Sequence, residues 1–298
     1  MTEVNYLESL NPLQYESVCS TEGPNLIIAG AGTGKTKVLT TRVAHIIDNN
    51  LAFPSQILCV TFTNKAAREM SERVQKLVSQ NMEKMPWMGT FHSIGAKIIR
   101  NHAEVIGLKQ SFTILDKDDQ LSLIKQIIKA ENLDQSQFSP KLIQSKIDHW
   151  KNKALNPNDI KSESLDNLVD EKSLSIYKIY QARLFEINCL DFGDLLLQCI
   201  NLFKVPDIHK RYSNNFKYIH VDEYQDTNAA QYKWLKLLGS HHQNVCCVGD
   251  DDQSIYSWRG AEVDNMLRFE KEFENAKVIR LKQNYRSTNN ILLSLIHI

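Results

Sequence analysis

The 298-residue sequence predicts an α/β fold: a parallel sheet flanked by helices and interrupted by a mostly helical segment. Three observations carry this reading. Short apolar runs alternate with amphipathic stretches at the start of the chain. That rhythm is lost near Lys117 and the apolar runs return at Tyr218. A glycine-rich turn joins the first apolar run to the first amphipathic stretch.

Leu26–Ala29 reads as the first strand and Gly34–Ile47 as the helix after it; Ile57–Phe62 and Lys65–Val78 repeat the pair. Strands separated by helices favour parallel pairing, because each helix carries the chain back to the same end of the sheet. Beyond Lys117, Asp118–Ala130, Pro140–Trp150 and Glu171–Phe185 read as helices, separated by polar loops such as Asn152–Asp166. Strands return at Tyr218–Asp222, Asn244–Gly249 and Lys277–Leu281. The expected organisation is one discontinuous α/β domain, residues 1–112 and 190–281, with a helical insert at 113–189.

Composition narrows the class. The chain is 42% hydrophobic and 23% charged, which suits a globular protein with a sizeable core. Lys plus Arg equals Asp plus Glu at 35 each, so net charge argues neither for nor against a nucleic-acid partner. The six cysteines form no C-x-x-C pair, and Cys59, Cys246 and Cys247 sit in apolar runs. Buried, reduced thiols are expected, as in a cytosolic protein. Residues 1–10 carry Glu3 and Glu8 and no apolar signal core, and no apolar run is long enough for a membrane span, so the expected location is the cytoplasm.

The turn reads Ala29-Gly30-Ala31-Gly32-Thr33-Gly34-Lys35-Thr36, between a strand and a helix. Glycines let several backbone N–H groups curl toward one anion, and the helix start aims its positive dipole end at the same point. Lys35 can reach β- and γ-phosphates, and the Thr36 hydroxyl can coordinate Mg²⁺. Ala29 stands where glycine is usual; a methyl is tolerated if the backbone stays in an ordinary region. A ligand-free turn is the alternative, and the strand–loop–helix context disfavours it.

Val221-Asp222-Glu223 closes the strand at Tyr218. Ligands of such sheets bind beyond the carboxyl ends of the strands, the edge where the phosphate loop opens. Asp222 is expected to hold Mg²⁺, through water, and Glu223 to orient and deprotonate an attacking water. Gln225 and Gln253 follow strand ends, where an amide can bond a γ-phosphate or the water without acting as a base.

These residues resemble the UvrD/Rep/PcrA-type superfamily 1 DNA helicases, with the motifs in that family's order over almost the whole chain. Leu10-Asn11-Pro12-Leu13-Gln14 resembles the Q motif, and the loop to Thr36 resembles motif I. Thr61-Phe62-Thr63-Asn64-Lys65-Ala66-Ala67 resembles motif Ia, and Gly89-Thr90-Phe91-His92-Ser93 a further DNA-contact motif. Asp191-Phe192-Gly193-Asp194-Leu195 resembles the DFDDL element, with Gly193 in place of an acid. Val221–Asn228, Val248–Ala261 and Gln283–Ser287 resemble motifs II, III and IV.

The resemblance implies a RecA-like ATP-binding domain with the insert as its accessory subdomain, and ATP with Mg²⁺ as ligands. It implies that Gln14 reads the adenine edge, that Arg42 and Tyr285 sandwich the ring, and that Arg286 touches the γ-phosphate. Phe62, Tyr256 and Trp258 would stack on unpaired bases, and Thr61, Asn64, Thr90 and His92 would contact sugar and phosphate. For Phe62, core packing is the competing expectation. The implied activity is ATP hydrolysis coupled to 3′-to-5′ movement on single-stranded DNA and unwinding at junctions, in repair or replication. Protein partners are left open.

The resemblance also implies a second RecA-like domain beginning at 282–298, whereas the chain stops at Ile298. The expectation is an incomplete motor that binds nucleotide, hydrolyses it slowly and does not translocate. The tail Leu293–Ile298 is what CTG TCT CTT ATA CAC ATC encodes, the end of a widely used sequencing transposon, so this tail is expected to be adapter-derived. Two other readings stand beside the motor: a non-catalytic module binding ATP and single-stranded DNA, and the motor of a helicase–nuclease. Lys35, Asp222, Glu223 and Arg286 together favour an enzyme.

Overall fold

A computed structural model describes residues 6–78, 84–161, 168–253 and 264–286. The tail at 293–298 lies outside the described residues. In chain order the strands are β1 (Asn25–Ala29), β2 (Ile57–Thr61), β3 (Met88–Thr90), β4 (Thr113–Leu115), β5 (Cys189–Asp191), β6 (Tyr218–Val221), β7 (Val245–Gly249) and β8 (Lys277–Leu281). The helices begin with α1 (Pro12–Cys19), α2 (Lys35–Asp48), α3 (Asn64–Leu77) and α4 (Phe91–Asn101). They continue with α5 (Lys117–Ala130), α6 (Pro140–Asn152), α7 (Leu168–Glu186), α8 (Asp194–Leu202), α9 (Pro206–Asn215), α10 (Ala229–Leu238) and α11 (Asp264–Glu272).

The chain divides into two compact units. The first comprises residues 1–91, 210–227 and 238–298; the second comprises 92–209 and 228–237. A sequence division at 112/113 and 189/190 thus differs from the structural one. Gly95 of α4 shows why. A Cβ there would lie 2.6 Å from the Leu195 carbonyl oxygen of α8, so the two helices touch backbone to backbone. The Cys199 thiol of α8 also reaches the Gly95 carbonyl at 3.4 Å. Two helices seated this closely belong to one packing unit.

The first unit holds a six-stranded sheet in the order β3-β2-β6-β7-β1-β8, every neighbouring pair parallel. Its strands read as continuous apolar runs because both faces are covered. β2, β6 and β7 are buried at every position. The core joins Ile27 and Ala29 of β1 to Val38, Leu39 and Val43 of α2, and to Met70 and Val74 of α3. Each such side chain contributes about 1.5–3 kcal/mol on burial. Helix starts follow their caps. Asn11 accepts from the Gln14 amide, with the reciprocal Gln14 side-chain bond to the Asn11 N–H. Thr63 accepts from Ala66 N.

The second unit centres on α5, α6 and α7, whose Ile124, Ile128, Ile143, Ile147, Tyr177 and Tyr180 form its core. Two short strands that periodicity did not show, β4 and β5, pair in parallel across its ends, with Ile114 opposite Leu190. Three residues are too few to display an alternation. Beside them is a fully buried ion cluster. Lys151 Nζ lies 2.7 Å from Asp191 Oδ2 and 2.8 Å from Asp194 Oδ1. The Tyr180 hydroxyl donates to Asp191 at 2.9 Å and the Gln181 amide to Asp194 at 3.0 Å. Burial acts to lower the Lys151 pKa, but the two carboxylates outweigh it and hold the ammonium charged. A Cβ on Gly193 would meet the Lys151 stem at 2.9 Å, so the residue that departs from the DFDDL pattern leaves room for this lysine. All six cysteines are free, and all but Cys19 are buried. Among the described residues no helix is long and apolar enough to cross a membrane.

Lys151→Met removes the only cation bonded to two buried carboxylates in this cluster. It is expected to lower unfolding free energy by about 3–5 kcal/mol, read from urea denaturation. A loss below about 1 kcal/mol would show that the cluster does not hold the second unit together.

Candidate active site at the carboxyl edge of the sheet

Because every strand of the first unit runs the same way, the carboxyl ends of β1, β6, β7 and β8 share one edge. Each end carries a polar segment: Gly30–Thr36, Asp222–Glu223, Asp250–Gln253 and Gln283–Arg286. Ala29 closes β1 as an ordinary buried strand residue, which is why alanine serves there. Gly32 and Gly34 sit at φ +75° and +93°, a region L side chains rarely enter. Gly34 caps α2 without a side-chain hydrogen bond, so the first-turn N–H groups of α2 are left for another acceptor. Thr33 closes the loop, its N–H and hydroxyl both donating to the Gly30 carbonyl, at 3.3 and 2.8 Å.

The loop opens on a cavity of about 490 Å³. Lys35 and Thr36 line one side, Glu223 and Gln253 another, and Tyr285 and Arg286 a third. The structure therefore brings these six sequence-predicted residues together. Lys35 Nζ stands 3.5 Å from Glu223 Oε2 and 3.8 Å from Asp250 Oδ2. The Gln253 amide donates to Asp250 Oδ2. Asp222 is buried behind them, accepting the Glu223 N–H at 3.0 Å. Its pKa is pushed up to about 6 by burial and then by the Glu223 carboxylate, with Lys35 and Arg73 pulling the other way. Asp226 is raised to about 6 for the same two reasons.

The segment after β8 lies across the phosphate loop. Asn284 Nδ2 donates to the Ala31 carbonyl at 2.6 Å and Tyr285 N to the Gly32 carbonyl at 2.8 Å. The Tyr285 hydroxyl accepts from Asn11 Nδ2 at 2.8 Å, while its ring stays 55% exposed.

Contrary to expectation, Arg42 does not line the cavity. It is 1% exposed, and its guanidinium donates to the carbonyls of Ser17 (2.6 Å) and Thr21 (3.1 Å). It lies about two turns, roughly 10 Å, along α2 from Lys35, too far from the loop and packed beside α1 instead. Gln14 is also buried and does not line the cavity: Nε2 donates to the Thr33 carbonyl at 2.9 Å, so it braces the loop. Gln225 lies behind the cavity, not in it.

Lys37, Arg73 and Asp250 are the residues that sequence reasoning missed. Lys37 and Arg73 both line the cavity. Asp250 is 3% exposed and stands behind the wall within reach of Lys35. The rule that selected Asp222, a polar residue just past an apolar strand, points equally to Asp250.

Four of the expected DNA contacts, Thr61, Phe62, Asn64 and Thr90, lie at or just past the carboxyl ends of β2 and β3. Thr61 and Thr90 are register partners at the ends of β2 and β3, and both are buried. Asn64 is exposed at the start of α3. Phe62 is half-buried, its ring edge-on to buried Phe91 at 5.7 Å. In the second unit, burial lowers the His92 pKa, and its ring meets Phe192 edge-on at 5.9 Å. Tyr256 and Trp258 lie outside the described residues. That unit also has a groove of about 630 Å³ beside Lys178 and Lys204, which holds none of the sequence-predicted site.

A parallel sheet with a loop-to-helix anion cradle at its carboxyl edge defines a RecA-like α/β protein. The chain belongs to the UvrD/REP helicase N-terminal domain family, whose profile matches residues 10–274. It is 51% identical over 296 residues to DNA helicase II of Rickettsia typhi, covering 98% of this chain and 44% of that protein. It is 50% identical over 287 residues to the ATP-dependent DNA helicase PcrA of Staphylococcus aureus, covering 96% of this chain and 39% of that protein. The chain thus spans less than half the length of these curated relatives.

Arg42→Ala is expected to cost about 2–4 kcal/mol of unfolding free energy, because a buried and a half-buried carbonyl lose a charged donor and a cavity opens. Wild-type thermal stability in this variant would show that the guanidinium is not a structural group.

Proposed function

We propose that this chain is the ATP-binding first motor domain of a DNA helicase that couples ATP hydrolysis to 3′-to-5′ movement on single-stranded DNA. The observation that carries the reading is the convergence of Lys35, Thr36, Glu223, Gln253 and Arg286 on one 490 Å³ cavity at the phosphate loop. Relatives named as DNA helicases, one of them ATP-dependent, support the same reading.

The α2 N-terminus and loop amides hold the β- and γ-phosphates, and Lys35 exchanges its carboxylate partners for phosphate oxygens. Tyr285 stacks on the base, and Lys37, on the cavity wall, takes the part expected of Arg42. Glu223 accepts a proton from water as that water bonds to the γ-phosphorus. The β–γ bridging bond breaks, and ADP leaves with the electron pair. Gln253 and Arg286 stabilise charge on the γ-phosphoryl oxygens.

The residues fit Mg²⁺. A buried carboxyl raised to about 6 beside a second carboxylate is stabilised in its ionised form by a cation, and the Thr36 hydroxyl adds a second hard oxygen donor. Mg²⁺ held by Thr36 and Asp222 would neutralise phosphate charge. Exposed Asn64 and half-buried Phe62 supply the described part of a single-strand contact. The cytoplasm, and junctions met in repair or replication, complete the proposal.

The reading is tested by ATP binding and hydrolysis with and without single-stranded DNA. DNA-stimulated turnover is expected to vanish in Lys35→Ala and Glu223→Gln. Turnover that survives both substitutions sinks the assignment. Lys37→Ala is expected to weaken nucleotide affinity about tenfold with an unchanged melting temperature, as loss of one cation–base contact implies.

The pH dependence has a definite sign. Asp222 ionises above about 6, so Mg²⁺-dependent nucleotide affinity is present above that pH and lost as pH falls through it. Mg²⁺ titrations between about pH 5 and 8 read this directly. Asp222→Asn should flatten the profile, and an unaltered profile would remove Asp222 from the metal site.

A further inference from the structure

Gln225 follows the acids of the β6 edge and does not itself line the cavity. It is 2% exposed, and both ends of its amide are engaged. Nε2 donates to Glu223 Oε2 at 2.9 Å, and Oε1 accepts the Asp250 N–H at 3.0 Å. The orientation is chemically forced. A backbone N–H can only donate and an ionised carboxylate can only accept, so the oxygen faces Asp250 and the nitrogen faces Glu223. Glutamate at this position would set a second carboxylate against Glu223. An apolar side chain would leave the Asp250 N–H buried and unmatched.

The surroundings are built around this amide. A Cβ on Gly249, the last residue of β7, would lie 2.8 Å from Gln225 Oε1 and 3.2 Å from Gln225 N. Beyond Gly249, Asp250 accepts from Asp252 N at 3.2 Å and from the Gln253 amide. One amide therefore ties the end of β6 to the segment that carries Gln253. Glu223 needs such a brace, because it is a non-glycine residue at φ +52° with a 39% exposed side chain.

We infer that Gln225 is a positioning residue, whose amide fixes the Glu223 carboxylate and couples it to the Asp250–Gln253 segment. The inference rests on the reading of Glu223 as the base for water attack. Movement of the segment that senses the γ-phosphate is then transmitted through one hydrogen-bonded amide to the group that activates water.

The test compares this chain with its Gln225→Ala, Gly249→Ala and double variants in single-turnover ATP hydrolysis, with nucleotide affinity measured separately. Gln225→Ala is expected to lower the hydrolysis rate about 10–100-fold, the scale of a mispositioned catalytic group, with nucleotide affinity changed less than about threefold. Gly249→Ala pushes on the amide and should lower the hydrolysis rate in the same way, with nucleotide affinity again little changed. Its effect should shrink in the Gln225→Ala background, where the contact with Oε1 is gone. A folded variant of either kind whose hydrolysis rate is unaltered, or whose nucleotide affinity falls as far as its rate, overturns the inference, as does additivity in the double variant. A wild-type chain whose turnover survives Glu223→Gln fails the underlying reading instead, and the two failures are thereby distinguished.

Discussion

Parallel strand direction is the constraint on which the first unit depends. Six strands that all run one way place all their carboxyl ends on one edge, and four of them, β1, β6, β7 and β8, end on a segment that lines or backs the cavity. Distances in sequence then cease to matter. Lys35 and Glu223 are 188 residues apart and stand 3.5 Å apart. Asn284 reaches the Ala31 carbonyl across 253 residues. The apolar interior of the sheet makes this edge rigid, since β2, β6 and β7 are buried throughout and cannot shift without opening the core.

Charge at that edge is arranged as a conflict with a resolution. Asp222, Asp226 and Asp250 crowd around Glu223 at the cavity wall, and two of them have raised pKa values, first for lack of solvent. Lys35 answers two of the acids directly, while Lys37, Arg73 and Arg286 stand along the wall. The same opposition of buried acids to one lysine recurs in the second unit at Lys151, where it is closed off from solvent and serves packing.

Gln14 and Arg42 illustrate how a polar side chain near a ligand site can work on the scaffold. Gln14 caps α1 and braces the phosphate loop with one amide. Arg42 closes the gap between α1 and α2 by satisfying the Ser17 carbonyl, and reaches on to that of Thr21. Gln14 holds the loop and Arg42 holds α1 on α2, and neither needs to touch a ligand to do so.

Much was legible in the residues alone. Apolar runs ending in Lys35-Thr36 or Asp222-Glu223 carry a local signal, because a strand, a tight turn and a helix start are decided by neighbours in sequence. That signal placed the loop, the acids and the parallel sheet. Tertiary structure decided the rest. Whether Arg42 faced a cavity or the core depended on how α1 lies on α2. Whether Asp250 was solvated depended on Gln225 reaching it from the turn after β6. The short strands β4 and β5 and the packing of α4 on α8 through Gly95 likewise arise from contacts between segments distant in the chain. Sequence determines what each segment can be, since backbone geometry is local, whereas burial and partnership are properties of what the fold brings alongside.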